Sequence, residues 1–231
     1  MSTVIFQFEY NYPYYRDKPE EKFVIDSCVD SVRDYADLHD YDYIFETQRH
    51  FTSPNHYYDL TCEWIYWLKK LAEDYDNIIV MDTDVYVTNW NVPFPTGKGY
   101  ICYSVERDNL FLNGKELSKT HSRMFANSGI VSLDKQTANK MYDWIVINRN
   151  DNYKMIAQCN LSLNGQYHKG DQVHILKYLM EHPEDFNPSL PLEFHWSPHR
   201  EIDQPDPVLC HLCVPQAEKY ELLCMILENY T

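Results

Sequence analysis

Positive charge is scarce in this chain. Lys and Arg together number 20 against 35 Asp and Glu, which leaves a formal charge of −15 over 231 residues. Nucleic acids and anionic membranes need clustered cations on their partners, so neither class of ligand fits this balance. Long apolar runs are lacking too, since no stretch approaches the roughly 20 residues that cross a bilayer. The opening Met1-Ser2-Thr3 leads straight into Val4-Ile5-Phe6, without the basic start or the apolar length of a secretory signal. A cytoplasmic protein with no membrane anchor is therefore expected. A disulfide framework is also missing. Cys28, Cys62, Cys102, Cys159, Cys210, Cys213 and Cys224 are odd in number and sit mostly inside apolar runs. That pattern suits reduced core thiols. Cys210 and Cys213 form a lone C-x-x-C without the second pair or the two histidines a zinc site wants, so they read as buried thiols.

What the chain does contain is an ordinary apolar share, 20 tyrosines and no low-complexity stretch. One globular domain over 1–231 is expected. Val4 to Phe8 reads as a strand, and a Tyr- and Asn-rich loop follows from Tyr10 to Lys18. Pro19-Glu20-Glu21 opens a helix, with proline early and acids in the first turn. Ile25, Cys28, Val29, Val32, Tyr35 and Ala36 give that helix one apolar face. Tyr41 to Phe45 reads as a strand, and Leu60, Trp64, Trp67, Leu68 and Leu71 mark an amphipathic helix after a loop at Ser53-Pro54-Asn55. Asn77 to Met81 is continuously apolar after its first residue, as in a strand buried on both faces. This alternation of strands and helices indicates an α/β layer structure. The second half is less regular. Strands are expected at Tyr100–Val105, Ile130–Leu133 and Val208–Leu212, and helices at Lys135–Asn148, Asp171–Glu181 and Gln216–Glu228. Asn150 to His168 follows no clear pattern, and Pro188 to Pro207 is Pro-rich and irregular.

Asp82-Thr83-Asp84 lies just past the carboxyl end of the buried strand. Ligands of open α/β sheets bind at that edge. Two carboxylates of this kind are hard oxygen ligands suited to Mg²⁺ or Mn²⁺, ions that also bridge phosphate oxygens. In an acidic chain, such a cation would solve the problem of holding a phosphate. A plain surface turn uses the same residues. The remaining polar landmarks are equally two-sided when taken alone. Gly129 reads as a strand-entry glycine or as a point of close backbone approach. Asp171 reads as a helix cap or a ligand, and His211 as a core histidine or a metal ligand.

Ile78-Ile79-Val80-Met81-Asp82-Thr83-Asp84-Val85-Tyr86-Val87 resembles the strand and D-x-D signature of GT-A glycosyltransferases, in the style of the retaining glycogenin-like and galactosyltransferase-like branches. Three segments follow in that family's order: Phe125-Ala126-Asn127-Ser128-Gly129-Ile130-Val131, Gly170-Asp171-Gln172-Val173, and His211 on a late strand. The resemblance runs from about Thr3 to Lys219. It implies a three-layer α/β/α domain with a mostly parallel central sheet and a smaller antiparallel portion in the C-terminal half. Residues 1–90 would form the nucleotide-binding half and 91–231 the sugar and acceptor half.

The resemblance also implies residue roles. Asp82, Asp84 and His211 would hold Mn²⁺ or Mg²⁺, and Asp82 with Thr83 would meet the donor's ribose. Asn127, Ser128 and Gly129 would border the donor sugar. Asp171 and Gln172 would orient that sugar, with Asp171 as the base if the enzyme inverts. Lys219 would contact the diphosphate, and Phe8, Tyr10 and Asn11 would border the base. The substrates would be a nucleoside-diphosphate sugar, UDP-linked ahead of GDP-linked, and a glycan or glycoprotein acceptor. The chain departs from the family after His211, where Cys213-Val214-Pro215 replaces a frequent glycine. The basic residue some relatives carry before the D-x-D strand has no match, for Glu63-Trp64 stand there. Lys69 and Lys70 read as solvated. Trp196, beside His195, His199 and Arg200, either shapes an acceptor site or fills the edge of the core. Two rival functions remain open. A metal-dependent phosphohydrolase or nucleotidyltransferase also pairs aspartates at a sheet edge, but Thr3 to Glu9 offers neither a nucleophilic Asp nor a Gly-rich basic loop. The other rival is a non-catalytic carbohydrate-binding protein with the same fold.

Overall fold

The computed structural model describes residues 1–10, 12–49, 62–103, 111–112, 115–116, 126–158, 162–163, 166–167, 171–187, 190–196, 206–214 and 216–230. Asn11, the loop at Ser53-Pro54-Asn55, His199 and Arg200 lie outside them.

Strand β1 (Thr3–Phe8), helix α1 (Pro19–Leu38), strand β2 (Asp42–Glu46), helix α2 (Glu63–Asp74) and strand β3 (Asn77–Met81) follow one another as the apolar patterns require. The expected loop after β1 contains a 3-10 turn at Tyr12–Asp17. Helix α1 starts on Pro19, with Glu20 and Glu21 in its first turn, where carboxylates offset the helix dipole. It ends with Asp40 in the left-handed region (φ 56°). Tyr41 N–H there donates to the Ala36 carbonyl (2.9 Å) and Asp40 N–H to the Asp37 carbonyl (3.4 Å). Those two bonds are the Schellman closure, made here with aspartate in the usual glycine position.

Strand β4 (Val85–Val87) is too short to show an alternation in the sequence. After it come β5 (Tyr100–Tyr103), β6 (Ala126–Asp134), α3 (Lys135–Gln158), α4 (Asp171–Glu181), β7 (Leu209–His211) and α5 (Gln216–Tyr230). Asn127-Ser128-Gly129 thus belong to strand β6 itself rather than to an entry loop. Helix α3 runs on to Gln158, into the stretch whose polarity hides its pattern. Asp134 starts that helix by accepting the Thr137 N–H (2.6 Å).

The central sheet has the order β2-β1-β3-β6-β5. β1 pairs in parallel with β2 and β3, whereas β6 is antiparallel to both β3 and β5. Four of the five strands therefore run the same way, and β6 alone opposes them. Side chains of β1 and β3 alternate between the faces. Val4, Phe6, Ile78 and Val80 pack with Trp64, Ile65, Trp67 and Leu68 of α2, Met141 of α3 and Ile175 of α4. Ile5, Ile79 and Met81 pack on the other face with Val32, Tyr35 and Ala36 of α1 and with Val85 and Val87. This is the expected three-layer arrangement. Each fully buried aliphatic or aromatic side chain in it contributes about 1.5–3 kcal/mol. Lys69 and Lys70 lie on the exposed face of α2.

β4 and β7 form a separate antiparallel ribbon, with Val85 opposite His211 and Val87 opposite Leu209. Trp196 is 9% exposed and packs with Val24, Cys28, Tyr86, Cys210, Leu212 and Leu223. It belongs to the core and is not an open sugar platform. Cys28, Cys62, Cys210, Cys213 and Cys224 are free thiols, and among the described residues no helix is long and apolar enough to cross a membrane.

Candidate active site

The chain leaves β3 at Met81, turns through Asp82-Thr83-Asp84 and enters β4. The turn closes with Val85 N–H on the Asp82 carbonyl (3.2 Å). Because β7 pairs with β4 and ends on His211, the ribbon carries that imidazole back beside the two aspartates. His211 Nε2 lies 3.3 Å from Asp84 Oδ1 and 3.6 Å from Asp82 Oδ2. One ligand atom from each of the three residues lies within 4.8 Å of the others. Leu212 N–H donates to the Asp84 carbonyl (2.9 Å) and ties the end of the ribbon to the turn.

The turn is anchored from two further strands. Asp82 N–H donates to the Gly129 carbonyl of β6 (2.7 Å). Gln7 of β1, fully buried, donates from Nε2 to the Asp82 carbonyl (2.9 Å) and accepts from the Tyr43 hydroxyl (2.7 Å). Gln7 and Tyr43 were not anticipated as site residues. A lone amide within an apolar strand is the signal that points to Gln7, because a buried amide needs partners.

Five groups, Lys219, Asp84, His211, Asp82 and Asp171, bear on the charge of the site. Lys219 of α5 places Nζ 2.6 Å from Asp84 Oδ2, with both side chains largely buried at 17% and 16% exposure. Burial pushes the Asp84 carboxyl up, but His211 and Lys219 outweigh it and hold it well below the usual carboxylate range. Burial works against the charged forms of His211 and Lys219, but Asp84 reverses this and raises both. Among the described residues no ammonium is paired directly with Asp82, and His211 and Lys219 favour its charge less than they favour that of Asp84. The surrounding protein desolvates Asp82 and the Asp84 charge repels its ionised form, which pushes its carboxyl up to about 7. It does so even though 53% of the Asp82 side chain stays open to the cleft. Asp171 adds to the same repulsion.

The cleft in front of these residues measures about 230 Å³ and is lined by Phe8, Glu9, Tyr15, Val24, Ile25, Asp82, Thr83, Asp84, Gln216 and Lys219. Of the residues expected near a nucleotide, Phe8, Asp82, Thr83 and Lys219 line it. Tyr10 is 39% exposed and stacks with Phe8 at 6.3 Å. Glu9 and Tyr15 were not anticipated. Glu9 Oε2 accepts from the Thr83 hydroxyl (3.0 Å). The Tyr15 hydroxyl is pushed up to about 12 by burial and by the Glu9 charge, so it stays protonated.

Asn127, Ser128 and Asp171 are buried. Asn127 Oδ1 accepts the Gly129 N–H (2.8 Å). A Cβ built on Gly129 would lie 2.2 Å from Cε1 and 2.7 Å from Nδ1 of His211. The space this glycine leaves is taken by the histidine ring. Asp171 opens α4 and accepts the Trp64 indole N–H on Oδ2 (2.8 Å). Gln172 follows Asp171 in the same first turn. The Asp82, Asp84 and His211 donor set, two hard carboxylates and one imidazole at a shared point, fits Mn²⁺ or Mg²⁺.

No protein-family model matches the sequence and no curated protein does. Solved structures match it in fold. A glycosyltransferase involved in the glycosylation of the major capsid of PBCV-1 aligns with a TM-score of 0.61 at 14% identity, over 97% of this chain and 100% of that one. The WbbM bifunctional glycosyltransferase aligns with a TM-score of 0.54 at 12% identity, over 99% of this chain and 50% of that one. The chain thus spans the whole of the first protein and about half of the second. The shared feature is the GT-A fold, and Asp82-Thr83-Asp84 lies at the carboxyl edge of its sheet.

Proposed function

We propose that this protein is a metal-dependent glycosyltransferase that moves a sugar from a nucleoside diphosphate, UDP ahead of GDP, to a hydroxyl of a glycan or glycoprotein acceptor. The observation that carries the reading is the convergence of Asp82, Asp84 and His211 beside Lys219, at the mouth of a cleft in a GT-A fold.

Transfer breaks the bond between the anomeric carbon and the diphosphate, forms one to the acceptor oxygen and passes the acceptor's hydroxyl proton to Asp171 in an inverting enzyme or to the departing diphosphate in a retaining one, so the chief demand is to stabilise an anionic leaving group. A divalent cation held by Asp82, Asp84 and His211 would supply that charge stabilisation. Lys219 is placed to turn its ammonium from Asp84 to the diphosphate. Phe8, Tyr10 and Tyr15 offer aromatic surface for the base, and Glu9 with Thr83 offers acceptors for ribose or base N–H and O–H groups. Asn127 and Ser128 border the sugar, whereas the open side of Gly129, expected to face the sugar, is filled by the His211 ring. Asp171 and Gln172 orient it, with the Asp171 carboxylate held by the Trp64 indole.

Calorimetric titration of UDP- and GDP-sugars into the purified protein, with and without Mn²⁺, tests this reading. Binding that depends on Mn²⁺ is expected, strongest for a UDP-sugar. Binding of equal strength without metal would overturn it.

A further inference from the structure

We propose that His195 is a positioning residue for the metal site, acting through His211. The inference rests on reading Asp82, Asp84 and His211 as a cation site. His195 Nε2 and His211 Nδ1 are 3.0 Å apart, with ring centroids 5.2 Å apart at 68°. Each residue is only 3% exposed. Two imidazoles that meet through their nitrogens, both withdrawn from water, form a specific hydrogen bond.

The backbone sets this meeting before the side chains do. Val208 N–H donates to the Glu193 carbonyl (2.7 Å), Trp196 N–H to the Leu209 carbonyl (3.0 Å) and His211 N–H to the Trp196 carbonyl (2.8 Å). Trp196 also bridges Cys210. The segment around His195 is therefore laced along β7 as an added edge, which fixes His195 relative to His211.

The chemistry follows from which nitrogen faces what. His211 Nε2 faces Asp82 and Asp84, so a cation there uses the Nε2 lone pair and the ring proton must sit on Nδ1. Metal-ligating histidines donate that second N–H to a fixed acceptor, which locks tautomer and ring orientation. Here the acceptor is His195 Nε2, which places His195's own proton on Nδ1. A neutral acceptor suits this place. A carboxylate would add another negative charge to a site that already holds Asp82 and Asp84 and feels Asp171. Gly129 leaves the room in which the His211 ring lies, so the ring is placed by a glycine, a hydrogen-bond acceptor and a paired strand.

The test is direct Mn²⁺ binding to the metal-free protein. Electron paramagnetic resonance of free Mn²⁺ follows wild type, His195→Phe and His195→Gln, with thermal melting alongside. Phenylalanine fills the space but accepts nothing, and glutamine offers a carbonyl oxygen in place of Nε2. His195→Phe is expected to weaken Mn²⁺ binding by about 10–100-fold, and His195→Gln to restore most of it. His195→Leu serves as the non-accepting variant if His195→Phe does not fold. Wild-type affinity in a folded non-accepting variant would overturn the proposal. So would an equal loss in His195→Gln, which would assign His195 to packing alone. In both cases wild-type binding leaves the cation site standing. Failure of the wild-type protein itself to bind Mn²⁺ would overturn the cation site, and this inference with it.

Discussion

The ring of His211 occupies the space that a side chain on Gly129 would need. The 2.2 Å approach of a built Cβ to His211 Cε1 is far inside van der Waals contact, and Asn127 Oδ1 would lie 2.9 Å from the same atom. Gly129 sits in a strand, so the constraint is one of room and not of backbone angle. Gly129→Ala should displace the imidazole from Asp82 and Asp84 and cost about 1–3 kcal/mol as an overpacked core position. The expected result is a folded protein with weakened Mn²⁺ binding. Denaturant unfolding combined with Mn²⁺ titration checks it, and unchanged Mn²⁺ affinity would count against the placement of His211.

Lys219 competes with a cation for Asp84. Its ammonium lies 2.6 Å from Asp84 Oδ2, while His211 approaches the other oxygen. In the proposed site a bound ion would share the Asp84 charge with this ammonium and weaken the pair, which would leave the ammonium available to the diphosphate. Lys219→Met keeps the length and removes the charge. Mn²⁺ alone should bind it more tightly, by roughly threefold to tenfold, equivalent to about 0.7–1.4 kcal/mol. UDP should bind it more weakly in the presence of Mn²⁺. Calorimetry with Mn²⁺ and then with UDP separates the two effects, which have opposite signs.

The two aspartates respond to pH differently. Asp82, desolvated and facing Asp84, keeps its proton in the folded protein up to about 7, whereas in the unfolded chain it ionises near the ordinary aspartate value. Between those values the native state holds more protons, so this group makes stability fall as pH rises. Metal-free Asp82→Asn should therefore gain on wild type above pH 7, with the advantage shrinking as pH falls towards the ordinary carboxylate range. Mn²⁺ binding needs Asp82 ionised and His211 unprotonated, so wild-type affinity should rise with pH and binding should release protons. Thermal melts across pH, and calorimetry in buffers of different ionisation enthalpy, measure both. A pH-independent difference between the variant and wild type would contradict the assignment.

Much of this architecture was legible in residue patterns. Strand β3 and helix α4 lie where the continuous apolar run and the Asp171-to-His182 boundary put them, because burial and helix termination are local signals. Strand β7 was legible as the late apolar run at Val208–Leu212, but its pairing with β4 into a ribbon was not, since the three residues of β4 show no period and the two strands lie over a hundred positions apart. Yet that ribbon brings His211 to the aspartates. His195 was visible only as part of a polar and aromatic cluster, for the bond it makes depends on the backbone pairing of 193–196 along β7. Gly129 was found for its smallness, but its nearest neighbour is a histidine ring, which a linear pattern does not reveal. Trp196 could be read either as surface or as core, and packing against Leu223 and Cys210 makes it core.

Asp40 shows how a chain with only 6 glycines closes its first helix. It holds φ at 56°, so that Tyr41 N–H reaches the Ala36 carbonyl. A left-handed conformation costs an L-residue about 1–2 kcal/mol, and aspartate recovers part of that through local hydrogen bonding. Glycine removes the steric cost but gives back about 0.5–1 kcal/mol in chain entropy. Asp40→Gly should therefore stabilise the protein modestly, by up to about 1 kcal/mol, or about 2–4 °C in Tm for a domain of this size. Asp40→Val places a β-branched side chain in the same conformation and should destabilise it. Both variants should bind Mn²⁺ like wild type, because Asp40 takes no part in the cleft. Differential scanning calorimetry of the two variants checks the order, and a Val variant as stable as the Gly variant would show that the turn relaxes out of the left-handed region in solution.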